Sequence, residues 1–327
     1  MSGPAPGTAE VVRFDLLGPP VLSRSAVLRD ESLRTDTARQ LAGWPAARLV
    51  VVDAQGRTPV DWGDVEPPQA QWDFVDATGV RLRTRPAAGE APPADAVLLG
   101  ELDGTAYWAV RGEAPDGDAA EWADLRTVGA ALDALGAGLL TTAVAVLNWH
   151  DAARFCGRDA SPMRPEHAGW HRVCEAHGHE EYPRTDPAVI CLVHDGADRV
   201  LLARQPVWPQ GRFSVLAGFV EAGESLEACV LREIHEEVGV PVREVRYLGS
   251  QAWPFPRSLM VGFQAVADAD APLLPAEGEI AEAMWVTRAD LRAALADGDW
   301  GGSGTGLRLP GRVSIARSML EAWAALD

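Results

Sequence analysis

The stretch GFVEAGESLEACVLREIHEEVGV runs from Gly218 to Val240, and its reading decides the fold of everything around it. Ser225 offers a side-chain oxygen to the free N–H groups of a helix start, and Gly239 offers the left-handed residue that ends one. A short helix is predicted between them. Leu231, Ile234 and Val238 recur at i, i+3, i+7 and predict one apolar face. Glu233, Glu236 and Glu237 recur at i, i+3, i+4 and project together from another.

Carboxylates this close repel by several tenths of a kcal/mol per exposed pair, so a compensating cation is expected. Mg2+ or Mn2+ suits the position, because both take oxygen ligands and both commonly bind substrate phosphates as well. Metals clustered there activate a water and offset charge on phosphoryl oxygens. The plainer reading of EIHEE is a solvated acidic helix face. Such a face needs neither the two glycines nor Glu224 and Arg232 at their fixed spacings.

The rest of the sequence narrows the class. A chain of 327 residues can bury a sizeable core and is predicted to form two domains. The sequence has no Lys, which reads as a genomic bias, and its formal net charge of -18 disfavours non-specific adhesion to nucleic acid or anionic membrane. The best apolar run, residues 139–147, is too short to cross a bilayer and contains Thr141 and Thr142. The opening MSGPAPGTAE lacks the basic start and apolar core of a secretory signal, so a cytoplasmic enzyme is expected. Four cysteines in a chain this long do not make a disulfide framework.

In chain order, residues 1–10 are expected to be disordered and 11–150 to form an N-terminal domain. Within it, 48–53 reads as a strand before the turn Ala54-Gln55-Gly56, and 97–101 with 105–110 as a hairpin about Asp103-Gly104. Residues 60–68 and 86–93 read as loops. A helix is predicted over 138–155, with Leu140, Val144, Leu147 and Ala152 on one side, and with Trp149 and His150 as packing and surface residues.

Residues 151–183 contain Cys156-Gly-Arg-Asp159 and Cys174-Glu-Ala-His177, a ribbon-like pair of knuckles with Asp and His where a zinc ribbon has Cys. Two readings stand: a structural Zn2+ site of Cys156, Asp159, Cys174 and His177, or a metal-free ribbon held by packing. His171 and His179 are near enough in sequence to compensate. Cys191 and Cys229 read as buried thiols. From 184 to 327, strands are predicted at 188–193, 200–203, 213–216, 242–248, 259–267 and 283–286, and helices at 290–296 and 314–325. That order predicts an α+β fold with a mixed sheet between helices.

The opening stretch matches the Nudix box Gx5Ex7REUxEExGU, with U aliphatic, at every position. After it, Ser250-Gln-Ala-Trp-Pro-Phe-Pro-Arg-Ser258 resembles the SQPWPFPxS signature of NADH pyrophosphatases in the Nudix superfamily, departing only at Ala252. Prolines stiffen such a segment, and Trp253 and Phe255 offer flat faces for stacking on aromatic rings. The resemblance runs from about Arg126 to the C-terminus. It implies a Nudix fold preceded by a degenerate zinc ribbon and an N-terminal α/β domain.

The implied activity is hydrolysis of the pyrophosphate of NADH or NAD+ to reduced or oxidised nicotinamide mononucleotide and AMP. NAD-capped RNA is an alternative substrate, and a homodimer is the implied assembly. The implied metal ligands are the Ala217 carbonyl, Glu233, Glu236, Glu237 and Glu279, with Glu279 preferred to Glu282. Phe219 is expected to stack on a base or the nicotinamide. Tyr182, Gln251, Trp253, Phe255, Ser258 and Ala316 are expected to shape the dinucleotide site, and Arg126 to contact a phosphate or ribose. Glu224 and Arg232 are read as supports of the box. A non-hydrolysing sensor of NAD or ADP-ribose is expected to lose box carboxylates, and this sequence keeps them all.

Overall fold

The computed structural model describes residues 12–66, 78–113, 122–297 and 306–326. The expected disorder of residues 1–10 and the end of the expected loop at 67–68 lie outside the described residues.

In the C-terminal half, nine consecutive positions pair Asp186–His194 in parallel with Ser258–Ala267, at the centre of a six-stranded mixed sheet. Central parallel strands are buried on both faces and read as near-continuous apolar runs, as AVICLV does here. Strand order is Val242–Trp253, Ser258–Ala267, Asp186–His194, Arg199–Arg204 and Glu282–Thr287, with Leu216–Phe219 paired to Asp186–His194. The helix Leu226–Val238 packs in the core on one face. Arg288–Ala296 and Ile315–Ala324 pack in the core on the other. This is the predicted mixed sheet between helices.

Four details differ from expectation. Leu231 is 46% exposed, and the apolar face of the box helix is carried by Cys229, Val230, Ile234 and Val238. The strand expected at 213–216 begins at Leu216, preceded by a lone bridge from Ser214 to Ala203. Val60 and Asp61 belong to the strand Arg57–Asp61, which pairs with Trp122–Asp124 and Arg81–Leu82. The signature is not a free loop. Its first four residues complete the strand Val242–Trp253, Trp253 pairs with Ser258, and residues 254–257 turn the hairpin through a cis Phe255–Pro256 bond.

The N-terminal half contains a four-stranded sheet in the order Arg85–Pro86, Arg48–Val52, Thr105–Arg111, Val97–Leu102, with the middle pair parallel. The predicted hairpin at Asp103-Gly104 is present. The helix Ala134–Ala152 lies against this sheet, buried on most of its circumference, which is the expected state of a helix apolar all round. Thr141 and Thr142 are satisfied within it, donating to the Ala137 and Gly138 carbonyls at 2.7 and 2.9 Å. Trp149 is buried and His150 half-buried, as expected of packing residues. Between the halves, Met163–Glu166, His171–Cys174 and Glu180–Glu181 form a small three-stranded ribbon. Its cluster of buried hydrophobic side chains is only Cys156, Met163 and Cys174. Among the described residues, no helix is long and apolar enough to cross a membrane.

Candidate active site

The box helix begins and ends as its sequence dictates. Ser225 Oγ accepts from the Ala228 N–H at 3.2 Å, and Gly239 takes the left-handed conformation at φ 76° while its N–H donates to the His235 carbonyl. The first glycine has a different reason. A Cβ on Gly218 would stand 1.9 Å from the Glu233 carboxyl carbon, so only glycine lets that carboxylate lie against the strand before the helix.

Arg232 supplies part of the expected positive charge. Its guanidinium binds Glu224 through two bonds of 2.8 Å and reaches Glu233 and Glu236 at 2.9 Å each. It also donates to the Phe219 carbonyl at 3.0 Å. The paired donors hold the Glu224 carboxyl down to about 2, and Glu224 in turn accepts from the Glu221 N–H. One arginine therefore ties the loop, the strand end and two of the three helix carboxylates together, as read for a box support.

Glu237 is excluded from that network. It is 3% exposed, and its Oε2 has no hydrogen-bond partner. Burial pushes its carboxyl up to about 8, with the charges of Glu233 and Glu279 adding to the effect. Burial raises Glu233 as well, against the pull of Arg232. Glu279 is exposed and lies within electrostatic reach of both, whereas Glu282 pairs with Arg204 at 3.0 Å. Glu233 and Glu236 each give one oxygen to Arg232. The orphaned buried oxygen of Glu237, beside the charges of Glu233 and Glu279, suits a hard divalent cation.

Glu237 and Ala217 face a cavity of about 770 Å3 between the two halves. Trp253, Phe255 and Arg126 also line it. The two rings meet edge to face with centroids 4.9 Å apart, and the Arg126 guanidinium lies 4.1 Å from the Phe255 ring centre. Asn148 on the long helix donates to the Pro254 carbonyl at 3.2 Å and so holds the hairpin tip against the N-terminal half. Arg212, whose guanidinium is lowered to about 10 by burial and then by the charge of Arg126, also lines this space. The sequence offered no sign of Asn148 or Arg212, since neither falls in a motif.

Of the eight expected dinucleotide contacts, Arg126, Trp253 and Phe255 line the cavity. Gln251 does not. It is buried, accepts from the Leu22 N–H at 3.2 Å and donates to the Val313 carbonyl at 3.0 Å, so its amide pins chain segments together. Ser258 sits in the sheet opposite Trp253, and Ala316 is buried in the first turn of the last helix beside the cavity residue Ile315. Phe219 and Tyr182 are exposed outside the cavity, with the Tyr182 hydroxyl donating to Glu180 at 2.6 Å.

In the ribbon, Cys156, Asp159, Cys174 and His179 bring one ligand atom each within 4.8 Å of one another. The fourth member is His179, not His177. His177 stands outside, 60% exposed, with its Nδ1 at 2.5 Å from Asp159 Oδ2. His171 is not part of this cluster. The mixed soft and hard donors fit Zn2+. Cys191 and Cys229 are buried free thiols, and burial pushes the Cys229 thiol up to about 12.

The box, its glycine cradle and the mixed sheet define a Nudix hydrolase, and residues 184–303 match the NUDIX domain. Residues 151–182 match the NADH pyrophosphatase zinc ribbon domain, and 50–149 match an NADH pyrophosphatase-like rudimentary NUDIX domain. The chain is 51% identical over 322 residues to the NAD-capped RNA hydrolase NudC of Mycobacterium tuberculosis H37Rv, covering 97% of this chain and 98% of that protein. It is 39% identical over 228 residues to the protein of the same name from Stutzerimonas stutzeri, covering 69% of this chain and 76% of that protein. A Nudix hydrolase structure from Nitrosomonas europaea is 23% identical, with a TM-score of 0.35, over 41% of this chain and 77% of that one. The chain belongs to the NADH pyrophosphatase family of Nudix hydrolases.

Proposed function

We propose that this enzyme is a metal-dependent NAD(H) diphosphatase, cleaving the pyrophosphate of NADH or NAD+ into the corresponding nicotinamide mononucleotide and AMP. The observation that carries the reading is the partnerless carboxylate oxygen of Glu237, a residue that lines the same cavity as Trp253, Phe255 and Arg126. Mg2+ or Mn2+ on Glu233, Glu236, Glu237, Glu279 and the Ala217 carbonyl would supply charge for the phosphoryl oxygens and lower the pKa of a bound water. Arg232 keeps Glu233 and Glu236 oriented. The aromatic pair offers stacking surface for a base, and Arg126 offers a cation for phosphate or ribose.

The same reading assigns domains at 11–150, 151–183 and 184–327, a structural Zn2+ in the ribbon, a cytoplasmic location and a homodimer. Exposed Phe219 and Tyr182 suit a site completed by a second subunit, and light scattering of the purified protein tests that assembly. NAD-capped RNA is a second substrate candidate, because the 51% identical relative carries that activity in its name.

The test offers NADH, NAD+, ADP-ribose and NAD-capped RNA separately, with Mg2+ or Mn2+, and identifies products by mass. Reduced mononucleotide and AMP from NADH is the expected result. Efficient cleavage of capped RNA alone would move the activity to RNA processing, and tight binding without cleavage would sink the enzymatic reading.

A further inference from the structure

We propose that Glu166, His167 and His171 form a second metal site, for an ion of the Zn2+ class, separate from the Cys156 cluster. Each offers one ligand atom, and the three lie within 4.8 Å of one another. His171 is 3% exposed, and its buried Nε2 has no hydrogen-bond partner. That nitrogen faces Glu166 Oε2 at 3.5 Å, beyond the roughly 3.2 Å reach of a good N–H···O bond. Two ligands about 2.0–2.1 Å from one tetrahedral ion stand about 3.3 Å apart, so the spacing suits atoms that share a cation.

The surrounding frame holds the three in place. Glu166 and His171 are direct cross-strand neighbours in the ribbon hairpin. Arg164 engages Glu166 Oε1, which leaves Oε2 toward His171. His167 and Ala168 adopt left-handed backbone at φ 46° and 53°, an unfavourable region for non-glycine residues, and the His167 ring comes to 4.1 Å from the His171 ring. The turn is fastened to the N-terminal half: His150 Nε2 donates to the Gly169 carbonyl and Trp170 Nε1 to the Leu98 carbonyl, both at 2.7 Å.

His167 is exposed and Glu166 partly so, while His171 closes the inner side. An ion therefore has an entry path, and water can complete its coordination. Two imidazoles and one carboxylate favour Zn2+ over Mg2+ or Ca2+, which prefer oxygen alone. No residue is shared with the Cys156 cluster, so each site can be emptied independently.

The experiment titrates the metal-free full-length protein with Co2+, with excess Mg2+ present to compete at the box carboxylates. Thiolate charge-transfer absorption reports the cysteine cluster. The expected result is an equivalent of Co2+ that binds without adding thiolate absorption. His167→Ala and Glu166→Gln should weaken that equivalent by ~100-fold or more, beyond the loss caused by removing an outer partner, and leave the thiolate signal as in the parent. Unchanged melting of the metal-free variants certifies their fold. Parent-like affinity in both variants, or no thiolate-independent equivalent in the parent, would overturn the proposal.

Discussion

The two halves of the molecule share a motif, a helix laid on a mixed sheet, and the instructive difference lies in that helix. Each has a mixed sheet with a central parallel pair, and each lays a helix against it. The N-terminal helix, ALGAGLLTTAVAVLNWHDA, carries no carboxylate before Asp151 and is buried nearly all round. The box helix, LEACVLREIHEEV, buries one side and lines the other with Glu233, Glu236 and Arg232. A sheet that packs an apolar helix yields a wall, and the same arrangement with a charged helix yields a reaction site. The cavity between them uses both, taking Val144 and Asn148 from one and Glu237 from the other.

Glu237→Gln should separate the two most sharply. It keeps the shape and removes the buried charge, so kcat for NADH with Mg2+ should fall by roughly 10²–10³-fold while the melting temperature holds or rises. Near-normal turnover would remove Glu237 from the centre of the mechanism. Leu140→Ala in the N-terminal helix should do the reverse. Leu140 is fully buried, and its truncation should cost about 2–5 kcal/mol in urea unfolding while kcat of the folded enzyme changes little.

Arg232→Ala removes the common partner of Glu224, Glu233 and Glu236, so both activity and melting temperature should drop. Arg232→Lys should recover only part of each, because an ammonium cannot form the paired bonds to Glu224. Arg126→Ala should raise KM about tenfold, equivalent to ~1.4 kcal/mol, with kcat nearly unchanged. A matching loss in kcat would mean that Arg126 acts in the transition state instead.

The remaining effect is a slope of stability with pH. Unfolded, a glutamate titrates near 4.3, whereas Glu237 in the folded chain is pushed up to about 8. Its folded carboxyl thus holds a proton more tightly, and the stability this contributes is complete below about pH 4 and lost as pH rises toward 8. Metal-free protein should melt progressively lower between pH 5 and 8. Glu237→Gln should flatten most of that slope, with Glu233, raised in the same direction, leaving a remainder. An unchanged slope in the variant would place the titration elsewhere.

The sequence by itself determined the box helix with both caps, the identity of its carboxylates, the Arg232 and Glu224 pairing, and the strand that follows. These rest on near-neighbour spacing, which fixes what lies on one turn or one strand. Only the tertiary structure decided which carboxylate is cut off from Arg232, because the helix turns Val230 rather than Leu231 into the core and carries Glu237 inward with it. It also decided that His179 rather than His177 faces the cysteines, and that Gln251 pins Leu22 and Val313. Those outcomes depend on burial and on partners as many as 229 residues away, which no local period encodes.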